Sequence, residues 1–125
     1  MTGHRFAPQI LRKYDIRGIV GENLTESDAF ALGRAYGAML AARDERLVCV
    51  GYDGRLSSPV LEACVVDGLC ESGMRVLRIG VGPTSALYFA VHAMAADGGI
   101  MVTGSHNPPN HNGCKMMIGA GPLWG

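Results

Sequence analysis

Residues 46–59, Arg46-Leu47-Val48-Cys49-Val50-Gly51-Tyr52-Asp53-Gly54-Arg55-Leu56-Ser57-Ser58-Pro59, contain a strand, a turn and the start of a helix in fourteen positions. RLVCVGY (46–52) is a short β-rich run that stops at Asp53-Gly54. Pro59 follows Ser57-Ser58 where a first helical turn tolerates proline. Val60, Leu61, Cys64, Val65, Gly68 and Leu69 then recur at helical spacing until Glu71-Ser72-Gly73 closes the segment. Further β-rich runs follow it. MRVLRIG (74–80) is a second β-rich run ending in Gly80-Val81-Gly82-Pro83, and Gly99-Ile100-Met101-Val102-Thr103 is a third, ending at Gly104. Upstream, Thr25-Glu26-Ser27-Asp28 opens a helix as an N-cap cluster, and Phe30, Gly33, Ala35, Tyr36, Met39 and Leu40 carry its period. Thr84 to Ala95 form a further helix after Pro83. Strands alternating with helices predict an α/β fold: three α/β/α layers around a mixed, largely parallel sheet covered on both faces.

Composition bounds the rest. The chain has 125 residues, 11 Lys+Arg against 11 Asp+Glu, 48% hydrophobic residues and 6% aromatic. That is the profile of one ordinary globular domain spanning residues 1–125, without internal repeat or linker. A chain of this size buries roughly 65–70% of its unfolded surface, so a core forms without disulfides or a structural metal. Zero formal net charge with no run of like charges argues against nucleic acid or an anionic membrane as partner. No apolar stretch approaches the ~20 residues that span a bilayer, and the N-terminus lacks a signal-peptide core, which predicts a cytoplasmic location and a small-molecule partner. Cys49, Cys64, Cys70 and Cys114 form no C-x-x-C pair and lie in apolar runs, where thiols act as small buried hydrophobes.

In such sheets, ligands bind beyond the carboxyl ends of the strands. Three loops lie there: Asp53–Pro59, Gly82–Ser85 and Thr103–Pro109. The third sets Ser105, His106 and Asn107 in consecutive positions before two prolines that restrict their neighbours. Ser, Asn and Pro are also ordinary turn residues. Against that reading, Asn112-Gly113-Cys114-Lys115 follows closely, and Lys is a point-charge binder of phosphate. Arg17 offers a second cation. Ser105 and His106 are no hydrolase dyad, since adjacent side chains point apart and no G-x-S-x-G elbow is present. The glycine-rich turns match neither the dinucleotide fingerprint nor the P-loop. For Asp53 and Arg55 the structural reading is favoured over a metal or phosphate site, with Arg55 tying the loop down by hydrogen bonds.

Tyr14-Asp15-Ile16-Arg17-Gly18, Gly51 to Pro59, Gly99 to Pro109 and Asn112 to Lys115 occur in order between about residues 12 and 118. Together they resemble the first domain of the α-D-phosphohexomutases, in the bacterial phosphomannomutase/phosphoglucomutase branch. The resemblance implies reversible phosphate transfer between the C1 and C6 oxygens of a hexose, mannose or glucose, through a phosphoserine and a bisphosphorylated sugar. Ser105 would carry the phosphate, with His106, Lys115 and Arg17 as its catalytic neighbours. Tyr14 and Asn107 would border the substrate, Asn107 also holding the loop's shape. Mg2+ would bind through the Ser105 phosphate, and glucose 1,6-bisphosphate would act as activator. Singly, His106 could equally be a structural residue, Lys115 and Arg17 surface charges, and Tyr14 core.

The family's aspartate-rich metal loop is missing. The six aspartates stand at 15, 28, 44, 53, 67 and 97, none at alternating spacing. Mg2+ needs several oxygen ligands in near-octahedral geometry, and one phosphoserine supplies at most a couple. The tail, Gly119 to Gly125 with Trp124, follows directly on the strand bearing Lys115, as in a truncated first domain. The expected chain therefore lacks turnover alone and takes the missing domains of the same enzyme as partner. The alternative from another class is a non-catalytic stand-alone fragment that binds a phosphosugar or a protein partner.

Overall fold

The structure is a computed structural model and describes residues 11–12, 15–105, 107–118 and 121–122. The elements are β1 (Leu11–Arg12), β2 (Asp15–Ile19), α1 (Glu26–Ala42), β3 (Leu47–Tyr52) and α2 (Ser58–Glu71), then β4 (Arg75–Val81), α3 (Thr84–Ala93), β5 (Gly98–Val102), β6 (His111–Ile118) and β7 (Gly121–Pro122). They form one sheet in the order β1-β2-β6-β5-β3-β4, with β7 beside β6. The strands joined by helices, β3, β4 and β5, run parallel, as a helical crossover requires. The connection from β5 to β6 has no helix, so β6 turns back antiparallel, and β2 and β1 continue antiparallel beyond it. The sheet is mixed, with its parallel half on the side of α2 and α3.

Alternation along the central strands sends successive side chains to opposite faces. Val48, Val50, Ile100, Val102, Cys114 and Met116 pack with Leu32, Tyr36 and Leu40 of α1 and Leu61, Val65 and Leu69 of α2. Cys49, Met101 and Met117 face the other way and pack with Leu87 and Val91 of α3. Two helices on one face and one on the other make the α/β/α layering. Every residue of β5 is buried, as expected for a strand covered on both sides. Cys49 and Cys114 are buried with these strands, whereas Cys70 lies exposed on α2, because its place on the helical period points away from the sheet.

Local chemistry sets the helix starts. Thr25 caps α1 in a reciprocal box: its hydroxyl accepts from the Asp28 amide at 3.2 Å, and the Asp28 carboxylate accepts from the Thr25 amide at 2.9 Å. Pro59 occupies the first turn of α2, where its missing N–H costs nothing. Tyr36 of α1 reaches the sheet, its hydroxyl accepting from the Gly99 amide and donating to the Met117 carbonyl. That contact pins α1 across β5 and β6, the strands that flank the Ser105 turn.

Candidate functional site

The carboxyl ends of β3, β4 and β5 lie side by side, Tyr52 being the register partner of both Val81 and Val102. The loops that follow are thereby gathered at one edge. Gly82 donates to the Tyr52 carbonyl and Asp53 to the Val102 carbonyl, both at 2.9 Å. The β5–β6 turn carries Ser105, and its first peptide is fixed by Thr103 donating to Gly113 at 2.9 Å.

Asp53 and Arg55 hold this turn from below; the sequence led one to expect Arg55 to tie down its own loop, and its carbonyl partners lie instead in and beside the Ser105 turn. The Asp53 carboxylate accepts from the Thr103 hydroxyl at 2.9 Å, the Gly104 amide at 3.0 Å, the Arg55 amide at 3.1 Å and the Ser58 hydroxyl. It also meets the Arg55 guanidinium at 3.2 Å. The guanidinium donates onward to the carbonyls of Ser105 (2.9 Å), Asn107 (2.7 Å), Pro108 (2.6 Å) and His111 (3.2 Å). One acid gathers the donors on this side of the turn and one base gathers its carbonyls. Gly104 makes room for the base: a Cβ there would stand 2.3 Å from the guanidinium carbon. Ser105 is left with φ +53, a left-handed conformation that costs a non-glycine residue about 1 kcal/mol or more.

Burial alone would raise the Asp53 pKa, but hydrogen bonds from the Ser58 hydroxyl, the Arg55 and Gly104 amides and the Thr103 hydroxyl outweigh it and hold the carboxyl below its ordinary 3.8. A folded-state pKa below the unfolded one adds stability that is full above the unfolded value and lost as pH falls through the folded one. Exchange of the Gly104 amide should therefore accelerate below about pH 4, beyond the intrinsic pH dependence, as Asp53 takes up a proton. Asp53→Asn should remove that acid limb, and an unchanged limb in the variant would refute the assignment.

A second polar chain runs behind the first. Asn112 on β6 is fully buried and donates to Ser57 at 2.8 Å and Ser58 at 2.9 Å, while its amide oxygen accepts from Gly113. Ser58, at the start of α2, in turn donates a hydrogen bond to Asp53. Sequence reasoning gave Thr103, Ser58 and Asn112 no role. The Ser-Ser pair before a helical proline could have marked Ser58, since serines there hydrogen-bond readily to groups nearby; nothing in the local sequence marks Thr103 or Asn112.

The expected site residues take these places. Ser105 lies in the turn. Asn107 donates from both its backbone and its side-chain amide to the Gly104 carbonyl, at 3.0 and 2.8 Å, which is the shape-holding part of its expected role. Lys115, partly exposed, stands in register with Met101 and Asp15, on the opposite face of β6 from Asn112. Arg17 stands in register with Gly113, two places along from Lys115, so antiparallel pairing of β2 with β6 brings the two expected cations to neighbouring positions. Tyr14 and His106 lie outside the described residues, as do Gly119, Ala120 and the last three residues with Trp124. Among the described residues no group of three or more His, Cys, Asp or Glu side chains could hold a metal ion. The carboxylate beside the turn, Asp53, is already taken up by its donors. These side chains do not fit a complete Mg2+ site.

A three-layer α/β/α domain with a stapled serine turn at the carboxyl edge of its parallel strands is a class that can be compared with known proteins. The chain belongs to the phosphoglucomutase/phosphomannomutase family, whose α/β/α domain I matches residues 8–123. It is 47% identical over 109 residues to the phosphomannomutase/phosphoglucomutase of Pseudomonas aeruginosa, which covers 87% of this chain and 24% of that protein. It is likewise 47% identical over 116 residues to the phosphoglucomutase of Neisseria gonorrhoeae, 93% of this chain and 25% of that one. Among solved structures, a phosphoglucomutase/phosphomannomutase family protein from Burkholderia thailandensis superposes with a TM-score of 0.89 at 38% identity, over 97% of this chain and 28% of that one. The chain spans about a quarter of the length of the curated relatives it matches.

Proposed function

We propose that this chain is the catalytic-serine domain of a phosphohexomutase that interconverts hexose 1-phosphate and hexose 6-phosphate, of mannose or glucose, with Ser105 as the phosphate carrier. The observation that supports it best is the Ser105 turn itself. A serine stands there at φ +53, its turn held by the Asp53–Arg55 ion pair and by the Thr103 and Ser58 hydroxyls on Asp53. In the first half-reaction the free hydroxyl of the hexose monophosphate would displace Ser105 Oγ at the phosphoserine phosphorus. The sugar O–P bond forms, the Oγ–P bond breaks, the hydroxyl proton ends on Oγ, and the sugar becomes a bisphosphate. In the second half Ser105 Oγ would displace the oxygen at the other end of the sugar, taking that phosphate and giving its proton to the sugar oxygen, so phosphate is conserved.

The Gly104 amide donates to Asp53, the Ser105 amide to the Thr103 hydroxyl and the Asn107 amide to the Gly104 carbonyl. A phosphate on Ser105 would then rely on cations rather than on those amides. Lys115 and Arg17 are the residues we assign to that charge, with His106 for proton transfer and Tyr14 and Asn107 toward the sugar. Mg2+ would reach this chain only through the phosphate, its remaining ligands coming from the further domains that the longer relatives have room for. Glucose 1,6-bisphosphate is the expected activator. The test is intact-mass analysis of the folded chain before and after incubation with glucose 1,6-bisphosphate and magnesium. One added phosphate, mapped to Ser105, is expected; a phosphate mapped to another residue overturns the reading, whereas a folded chain that takes none means that the further domains are needed to load the serine.

A further inference from the structure

Arg55 has more to do than close a loop. Its side chain is 15% exposed, and it offers donors to four carbonyls spread from Ser105 to His111 while resting on Asp53. The carbonyls of Ser105, Asn107 and Pro108 lie between β5 and β6, where none of the described residues joins a strand, and that of His111 opens β6, so one guanidinium ties the turn to the start of the next strand. The same pair fixes the chain before and after Ser105: the Thr103–Gly104 peptide through the Gly104 amide to Asp53, and the Ser105 carbonyl through Arg55. Left-handed backbone at a serine persists only where its surroundings over-determine it.

We infer that Arg55 is the positioning residue for phosphoryl transfer at Ser105: through the Ser105 and Asn107 carbonyls its guanidinium imposes the left-handed backbone from which the serine exchanges phosphate. This deepens the preceding reading and rests on it for the transfer step. The planar fork is what the role needs. A lysine would keep the positive charge on Asp53, but an ammonium carries three donors on one nitrogen and does not span four separated carbonyls. Charge and reach are therefore separable by one substitution.

The experiment compares wild type, Arg55→Lys and Arg55→Ala with Val91→Ala, a cavity variant on α3 that loses stability away from the turn. Two readouts are taken on each folded chain. Amide exchange at Ser105 and Asn107 reports the turn and needs no phosphate donor. The rate of phosphate uptake from glucose 1,6-bisphosphate with magnesium reports the transfer. Arg55→Lys should lose protection at both amides and take up phosphate at least tenfold more slowly, and methylguanidinium should restore part of the rate to Arg55→Ala. Val91→Ala should match wild type in both readouts per folded molecule. Wild-type protection in Arg55→Lys overturns the positioning role whether or not the chain accepts phosphate, and so does an undiminished uptake rate. Phosphate mapped to a residue other than Ser105 sinks the mutase reading instead, with the exchange arm still deciding for or against Arg55.

Discussion

Replacing Ser105 with alanine should abolish phosphate uptake from glucose 1,6-bisphosphate completely, with no second site taking over. The neighbouring hydroxyls are the natural substitutes, and each is engaged. Thr103 donates to Asp53 and accepts from the Ser105 amide. Ser58 donates to Asp53 and accepts from Asn112, and Ser57 accepts from Asn112 as well. Freeing any of them to attack phosphorus breaks a hydrogen bond to a partly or fully buried partner, at a cost of about 1–3 kcal/mol before chemistry begins. The control is Ser105→Gly, which removes the same hydroxyl but suits φ +53. It should unfold at higher urea than Ser105→Ala, by about 1 kcal/mol, while taking up no phosphate either. A serine retained for turn geometry would make the glycine variant the equal of wild type in every assay. Phosphate found on either variant would remove Ser105 from the centre of the mechanism.

The three αβ units, α1-β3, α2-β4 and α3-β5, were legible because each apolar run is short, β-rich and ended by glycine or Asp-Gly, and each helix period is anchored by a polar start. Thr25, Pro59 and Gly73 mark helix ends through local chemistry alone. Strand β2 was not legible. Its sequence, DIRGI, has no alternation and two charges, and it is extended because β6 supplies its ladder. The start of β6 reads His-Asn-Gly, which local propensity assigns to a turn. The family motifs pointed to Ser105 and Lys115, and the D-G-R triplet to a tied loop. The partners of that triplet lie some fifty residues away, and only the fold brings them together. Asn112 escaped for the same reason: a polar residue at a fully buried position is explained by the two serines it meets, not by its neighbours in sequence. The glycines at 33 and 68 fell on the helical period, but periodicity does not say that the two helices cross at those points.

That crossing gives the second large effect, Gly68→Ala. On an exposed helix, glycine to alanine stabilises by about 1 kcal/mol. Here the sign reverses. A Cβ on Gly68 would stand 2.2 Å from the Phe30 carbonyl oxygen and 2.8 Å from the Arg34 nitrogen, and a Cβ on Gly33 would stand 2.2 Å from the Val65 oxygen. The obstacles are helix backbone, which cannot rotate aside as a side chain does, so α1 and α2 must separate. Leu32, Tyr36, Leu61, Val65 and Leu69 then lose contacts together, since cores are packed without slack. The expected loss is about 3 kcal/mol in urea unfolding, a large share of the 5–15 kcal/mol typical of a domain. Gly54→Ala, where a Cβ meets nothing within 4 Å, should change stability by less than about 0.5 kcal/mol. The double variant Gly33→Ala with Gly68→Ala should cost less than the sum of the singles, because the first methyl has already opened the crossing. The damage should also reach the site. Helix α2 begins at Ser58, whose hydroxyl joins Asp53 to Asn112, so a displaced α2 loosens the staple under Ser105. Phosphate uptake by the folded fraction of Gly68→Ala should fall as well, which the destabilised Val91→Ala on the other face should not show; equal uptake in the two would mean that the helix crossing supports the fold without aligning the serine.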